Sequence, residues 1–138
     1  SHSTVPNLNL AENDYFGNSV AALGDVDGNG VTELAVGAPY DDDGGGYNKG
    51  AVHVLFLSAS GAALSVVKLS QSTVPGLNLE SSDHFGSSVA ALGDVDGNGV
   101  TELAVGATGD DDGAGNDQGA VRVLQHHLAH AVFERDDA

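Results

Sequence analysis

The sequence predicts an all-β protein of two four-stranded antiparallel units, and three observations carry that expectation. The chain of 138 residues repeats itself with a period of 69. Short apolar runs alternate with clusters of Gly, Asn and Asp, the residues that build tight turns. No stretch before residue 125 keeps its apolar residues at helical spacing.

The repeat is the firmest of the three. GDVDGNGVTELAVGA, from Gly24 to Ala38, recurs letter for letter from Gly93 to Ala107. STVPNLNL returns as STVPGLNL, NDYFGNSV as SDHFGSSV, and PYDDDGGGYNKGAVHVL as TGDDDGAGNDQGAVRVL. The units are therefore residues 1–69 and 70–138. Repeats of this length stack, because neither unit can bury its apolar face alone.

Within the first unit the strands read in order. Ser19–Leu23 (SVAAL) comes first, and Glu33–Ala38 (ELAVGA) second. Ala51–Leu57 (AVHVLFL), rich in valine and leucine, is third. The turn SASG then leads to a fourth, Ala63–Leu69. The second unit follows the same pattern as far as Leu124, where QHHLAHAVFERDDA replaces FLSASGAALSVVKL. Its fourth strand is either shifted, with 129–135 as the candidate, or replaced by a short helix. The inner two strands are apolar on both faces and carry small residues at Ala21, Ala22, Ala35 and Gly37. A sheet with one wet face alternates apolar with polar. These strands instead fit between close neighbours, as the blades of a β-propeller do. A β-sandwich has similar strands but does not need the same unit twice.

Apolar residues make up 41% of the chain, enough for a packed core. Twenty Asp and Glu face four Lys and Arg, for a net charge of −16. Nucleic acids and anionic membranes are bound mainly through Lys and Arg, so neither is an expected partner. The charge suits cations or a basic partner, although solubility or a saline habitat would produce it too. There is no cysteine and hence no disulfide framework. No apolar run approaches the ~20 residues of a membrane span, and the opening SHSTVP has no signal-peptide pattern.

The duplicated loop places oxygen-bearing side chains at alternate positions: Asp25, Asp27 and Asn29, then Glu33. Val31 falls where a backbone carbonyl would join them, and Gly28 and Gly30 permit the sharp path. Carboxylates crowded this closely repel one another unless a cation lies among them. Calcium takes about six to eight such oxygens. The second copy supplies Asp94, Asp96, Asn98, Val100 and Glu102. Two structural Ca2+ sites per chain are expected. The alternative is an acidic turn without metal. An EF-hand is excluded, because its bidentate glutamate would fall at Val36 or Val105, inside a strand. Magnesium seldom uses an all-protein cage and suits the loop less well.

Phe16-Gly17 and Phe85-Gly86 stand before these loops, and Gly37-Ala38-Pro39 follows the first. The arrangement resembles the FG-GAP repeat of integrin α-subunit propellers and their bacterial relatives. The resemblance implies four-stranded blades with calcium between the first two strands and partner binding on the opposite face. It also implies an extracellular or cell-surface, non-enzymatic protein acting in adhesion or protein binding. Three departures stand out. The second GAP reads Gly106-Ala107-Thr108, so its proline is lost; the metal loop carries Asn and Glu where the family often has Asp; and there are two blades where the family's propellers have about seven.

Two blades leave apolar faces open, so a homo-oligomer is expected, a trimer or a tetramer closing a ring. Alternatively, the chain is a repeat fragment of a larger surface protein. The loop from Pro39 to Gly50 leaves the blade opposite the metal loop. There Tyr40, Asp41–Asp43, Tyr47 and Lys49 are candidates to contact a protein or a glycan. A flexible, solvated loop is the alternative. A sugar-binding propeller is the competing function, weakened by the absence of Trp and a total of three Tyr. No catalytic set is readable: there is no Cys, no serine in a GxSxG setting, and the repeated acids serve better as ligands. His84 is matched by Tyr15, and His53 by Arg122, which predicts an exposed strand position for His53. In the tail, a helix would put His126 and His130, beside His127, on one face for a transition metal. A solvated tail is the other reading.

Overall fold

The computed structural model describes residues 8–26, 28–42, 47–74, 77–95, 97, 101–110 and 119–124. Seven strands run through them: β1 Ser19–Gly24, β2 Glu33–Ala38, β3 Ala51–Leu57, β4 Ala63–Ser70, β5 Phe85–Gly93, β6 Glu102–Ala107 and β7 Ala120–Leu124. They form a four-stranded sheet, β1-β2-β3-β4, and a three-stranded sheet, β5-β6-β7. Every paired neighbour within a sheet is antiparallel. The protein is all-β, and both sheets have the up-and-down order of propeller blades. The expected fourth strand of the second unit, 129–135, lies outside the described residues, as do His126, His127 and His130.

Register decides which residues share a face. Ala35 pairs with Val54 and Gly37 with Val52, and on the far side Val54 pairs with Val67 and Val52 with Leu69. These residues line one face of the first sheet. In the second sheet Leu103 pairs with Leu124 and Val105 with Arg122. The two faces meet in one buried cluster, joined by Phe56, Phe85 and by Val74, Leu77 and Leu79 from the connection. By the repeat, Leu103, Val105 and Leu124 correspond to Leu34, Val36 and Leu55, on the opposite face of the first sheet. The sheets therefore stack front to back, each facing the same way.

Small residues make the close approach possible. A side chain at Gly37 would run into the carbonyl oxygen of Gly86. The Ser19 hydroxyl donates to that same carbonyl at 3.0 Å, and Asn18 Nδ2 donates to the Ser87 carbonyl at 2.8 Å. Nearby, Phe85 N–H donates to the Lys49 carbonyl at 2.9 Å, and Gly50 and Phe85 form a parallel bridge. Gly37→Ala is accordingly expected to cost about 1–3 kcal/mol, seen as a lower melting temperature. Gly106→Ala, at the matching place in the second sheet, meets the Ser88 hydroxyl, which can rotate away. Its cost should be smaller, and an equal loss in both variants would contradict the close approach.

One expectation is overturned. His53 is buried, at 2% exposure, with the Phe16 ring 5.5 Å away and edge-on to it. Its partner in the repeat, Arg122, did suggest an exposed site. Phe16, ahead of β1, folds over this face of the first sheet, which the match to Arg122 does not reveal.

Candidate metal centre and the opposite face

The duplicated loop begins where β1 leaves its register, between Ala22 and Gly24. Asp25 Oδ1 accepts from the backbone N–H of Gly28 at 2.8 Å and of Asn29 at 3.0 Å, and Oδ2 accepts from Gly30 at 2.7 Å. Gly28 and Gly30 both adopt left-handed backbone (φ 81° and 85°), which lets these donors converge on one carboxylate. Asn29 Oδ1 accepts from Val31 N–H at 2.9 Å. Glu33, at the start of β2, is fully buried, and its Oε2 accepts from Val26 N–H at 3.0 Å.

The second copy repeats the base of the loop. Glu102 is fully buried, and its Oε2 accepts from Val95 N–H at 2.8 Å. Of the expected ligands, Asp25, Asn29, Val31 and Glu33 belong to one described loop, and Asp94 and Glu102 bracket the other. Asp27, Asp96, Asn98 and Val100 lie outside the described residues. Among the described residues, no three His, Asp or Glu side chains converge on a point that could hold a metal. The donor set is nonetheless oxygen throughout, with a buried carboxylate at its base. Those are the ligands a hard divalent cation such as calcium takes.

The other end of each sheet carries a matched acidic residue, Asp14 in the first unit and Asp83 in the second, whose role its place in the repeat does not announce. Asp14 Oδ2 accepts from Ala11 N–H at 2.8 Å, and the matching Asp83 Oδ2 accepts from Glu80 N–H at 2.8 Å. Both close the turn ahead of the FG pair. Burial raises the pKa of Asp14, opposed by that N–H and reinforced by Asp41. Burial likewise raises Asp83, opposed by the Glu80 N–H and reinforced by Asp110.

Asp41 and Asp110 occupy matching places but draw their cations from different strands. Lys68 of β4 reaches Asp41 at 3.0 Å, whereas Arg122 of β7 reaches Asp110 at 2.5 Å. The exchange of His53 for Arg122 thus has a physical account. In the first sheet β4 supplies the cation, which frees the β3 position for a neutral ring. Asp41 is consequently buried in an ion pair and is not placed to contact a partner.

Among the described residues, exposed aromatic rings stand at this end beside exposed Glu12 and Asp42. Tyr15 and Tyr40 lie 4.7 Å apart between ring centroids, and Tyr40 and His84 also 4.7 Å, so one ring bridges the two blades. Tyr15 (φ 58°) and His84 (φ 59°) both hold left-handed backbone, a strained state for such residues that the turn before each FG imposes. Tyr15, Tyr40 and Tyr47 are exposed, and Asp42 Oδ1 accepts from Asn48 N–H at 3.0 Å. Tyr15 and His84 were not expected here; their matching places directly before Phe16 and Phe85 were the available signal. Asp43 lies outside the described residues.

A model described as the FG-GAP repeat matches residues 16–55 and 85–124. The chain is 42% identical over 94 residues to integrin alpha pat-2 of Caenorhabditis elegans, across 67% of this chain and 7% of that protein. It is 37% identical over 128 residues to integrin alpha-PS5 of Drosophila melanogaster, across 91% and 11%. It is 35% identical over 102 residues to integrin alpha-5 of Xenopus laevis, across 74% and 9%. The chain thus spans only a small part of the length of these relatives.

Proposed function

Because the chain belongs to the FG-GAP repeat family, we propose that it is a calcium-stabilised pair of propeller blades that binds another protein in adhesion at the cell surface. The similarity to integrin α subunits supports the adhesive role and the extracellular setting. Asp25, Asp27, Asn29, the Val31 carbonyl and Glu33 hold one Ca2+. Asp94, Asp96, Asn98, the Val100 carbonyl and Glu102 hold the other. The observation that carries this reading is the complete burial of Glu33 and Glu102 at the base of two identical oxygen-rich loops. Taking a carboxylate out of water costs several kcal/mol, and a bound cation offsets that cost. The ion is structural: it neutralises the loop and pins the first hairpin of each blade. No catalytic role, nucleic acid or membrane insertion enters this reading.

The partner binds at the opposite end, over Tyr15, Tyr40, His84 and Tyr47. Exposed aromatic rings are the side chains that most often anchor protein interfaces. The tilted Tyr15–Tyr40 pair also favours a second reading, a sugar stacked on the rings. Panning a displayed peptide library on the immobilised chain, with a glycan array alongside, separates the two. Tyr40→Ala is expected to weaken the selected peptides about tenfold or more at unchanged melting temperature. Peptides indifferent to Tyr40→Ala would place the binding face elsewhere, and glycan hits alone would favour the sugar.

A further inference from the structure

We propose that Asn29 is a self-modifying residue: the Gly30 backbone nitrogen closes onto its side-chain amide with Asp25 as the base, turning the asparagine into aspartate or isoaspartate. The duplicated loop carries an Asn-Gly pair. Every other asparagine among the described residues is followed by a residue whose side chain crowds the attacking nitrogen, and Gly30 has none. The groups that such a closure needs are already in hydrogen-bond contact. Gly30 N–H, the nucleophile, donates to Asp25 Oδ2 at 2.7 Å, within the reach of a general base. The backbone N–H groups of Gly28 and Asn29 hold the other oxygen of that carboxylate, which fixes its aim. Asn29 Oδ1 accepts from Val31 N–H at 2.9 Å, the place where negative charge builds during attack. Asp25, Asn29 and Gly30 are exposed, so solvent water reaches all three.

The Gly30 nitrogen forms a bond to Asn29 Cγ, and its proton passes to Asp25 Oδ2. The Val31 N–H holds the charge that collects on Asn29 Oδ1. As the tetrahedral carbon collapses, its bond to Nδ2 breaks, and Nδ2 leaves as ammonia with the proton returned by Asp25. Water then opens the cyclic imide. Opening at one carbonyl gives aspartate, and at the other isoaspartate, whose main chain runs through the former side chain. No oxidant or cofactor is consumed, and Asp25 ends as it began. Either product adds one negative charge to the chain's formal −16. In the calcium reading above, that carboxylate falls at a ligand position; its effect on the ion rests on that reading, whereas the chemistry at Asn29 does not. Asn98-Gly99 repeats the pair in the second loop, outside the described residues.

The test is peptide mapping by mass spectrometry of the full chain, held in EGTA at neutral pH below its melting midpoint and, in parallel, unfolded in guanidinium chloride. Cleavage after glutamate separates the two loops into peptides 13–33 and 81–102, and fragmentation places each change on one asparagine. The expected result is a gain of about 1 Da at Asn29, matched by released ammonia. It should appear about tenfold or more faster in the folded chain than in the unfolded one. A loop that merely held the backbone still would slow the reaction on folding, so the sign separates the two. Asp25→Asn keeps the shape of the side chain and removes the base. The folded rate at Asn29 should then fall to that of the unfolded chain or below, while Asn13 and Asn18 in the same peptide keep theirs. An Asn29 rate no higher in the folded chain than in the unfolded one overturns the proposal, and that comparison stands even if Asp25→Asn fails to fold. A folded Asp25→Asn chain that modifies Asn29 at the unaltered rate overturns it too.

Discussion

Chelating calcium with EGTA is expected to lower the melting temperature of the chain by roughly 15 °C. A site held at a hundredfold excess over its Kd adds about 2.7 kcal/mol of stability, so two sites add about 5 kcal/mol. For a chain of this size each kilocalorie is worth about 3 °C. Asp27→Asn keeps the shape of the side chain and removes one charge, so it should abolish about half of the shift; Asp96→Asn should abolish the rest. Magnesium should not restore what EGTA removes, because it keeps its waters and demands an octahedral cage. Melting curves that superimpose with and without EGTA would mean that the Asp25 carboxylate and its three backbone donors hold the loop unaided.

The second large effect is acid lability centred on His53. Burial holds its pKa down to about 4 from the usual 6.5; the Asp41 carboxylate pulls it up and Lys68 pushes it down. The folded chain therefore resists protonating a ring that the unfolded chain protonates readily. Between pH 6.5 and 4 the unfolded state binds more protons, so stability is complete above pH 6.5 and falls as the pH drops towards 4. The shift corresponds to about 3 kcal/mol. Asp14 and Asp83 act the other way, because their raised pKa values favour the folded state in acid. Urea denaturation at pH 7 and at pH 4.5 measures the balance. His53→Leu is expected to lose much of the difference between the two, and an unchanged difference would assign the acid lability to other groups.

The architecture was largely legible because its determinants are local. The strands of the first unit follow from valine-rich runs bounded by Gly, Asn and Asp, and the observed bounds differ by one residue at β1 and β4. Gly37 marks the close approach of the second sheet, whose Gly86 carbonyl stands against it, whereas Val20 on the other face of the first sheet stays exposed. β5 starts earlier than the repeat suggested, because Phe85 pairs with Ala107 across an irregular step at Gly86.

What the sequence hid depends on which surface covers which. Strand alternation puts His53 on a face but does not reveal that Phe16 closes over it. Lys68 and Arg122 lie at unmatched positions, so their shared task of neutralising Asp41 and Asp110 emerges only when β4 and β7 are set beside those loops. The Tyr15–Tyr40–His84 stack needs left-handed backbone at two non-glycine residues, a state that sequence composition does not announce. In the duplicated loop the alternation of oxygen-bearing side chains was readable. The sequence did not indicate that Asp25 would be wrapped by its own backbone donors and Glu33 buried completely.

The most direct test of the central claim is calcium stoichiometry by equilibrium dialysis on the full chain. Two ions per chain are expected, one in Asp27→Asn or Asp96→Asn alone, and none in the double variant. No bound calcium in the unaltered chain, or full binding retained by the double variant, would contradict the account.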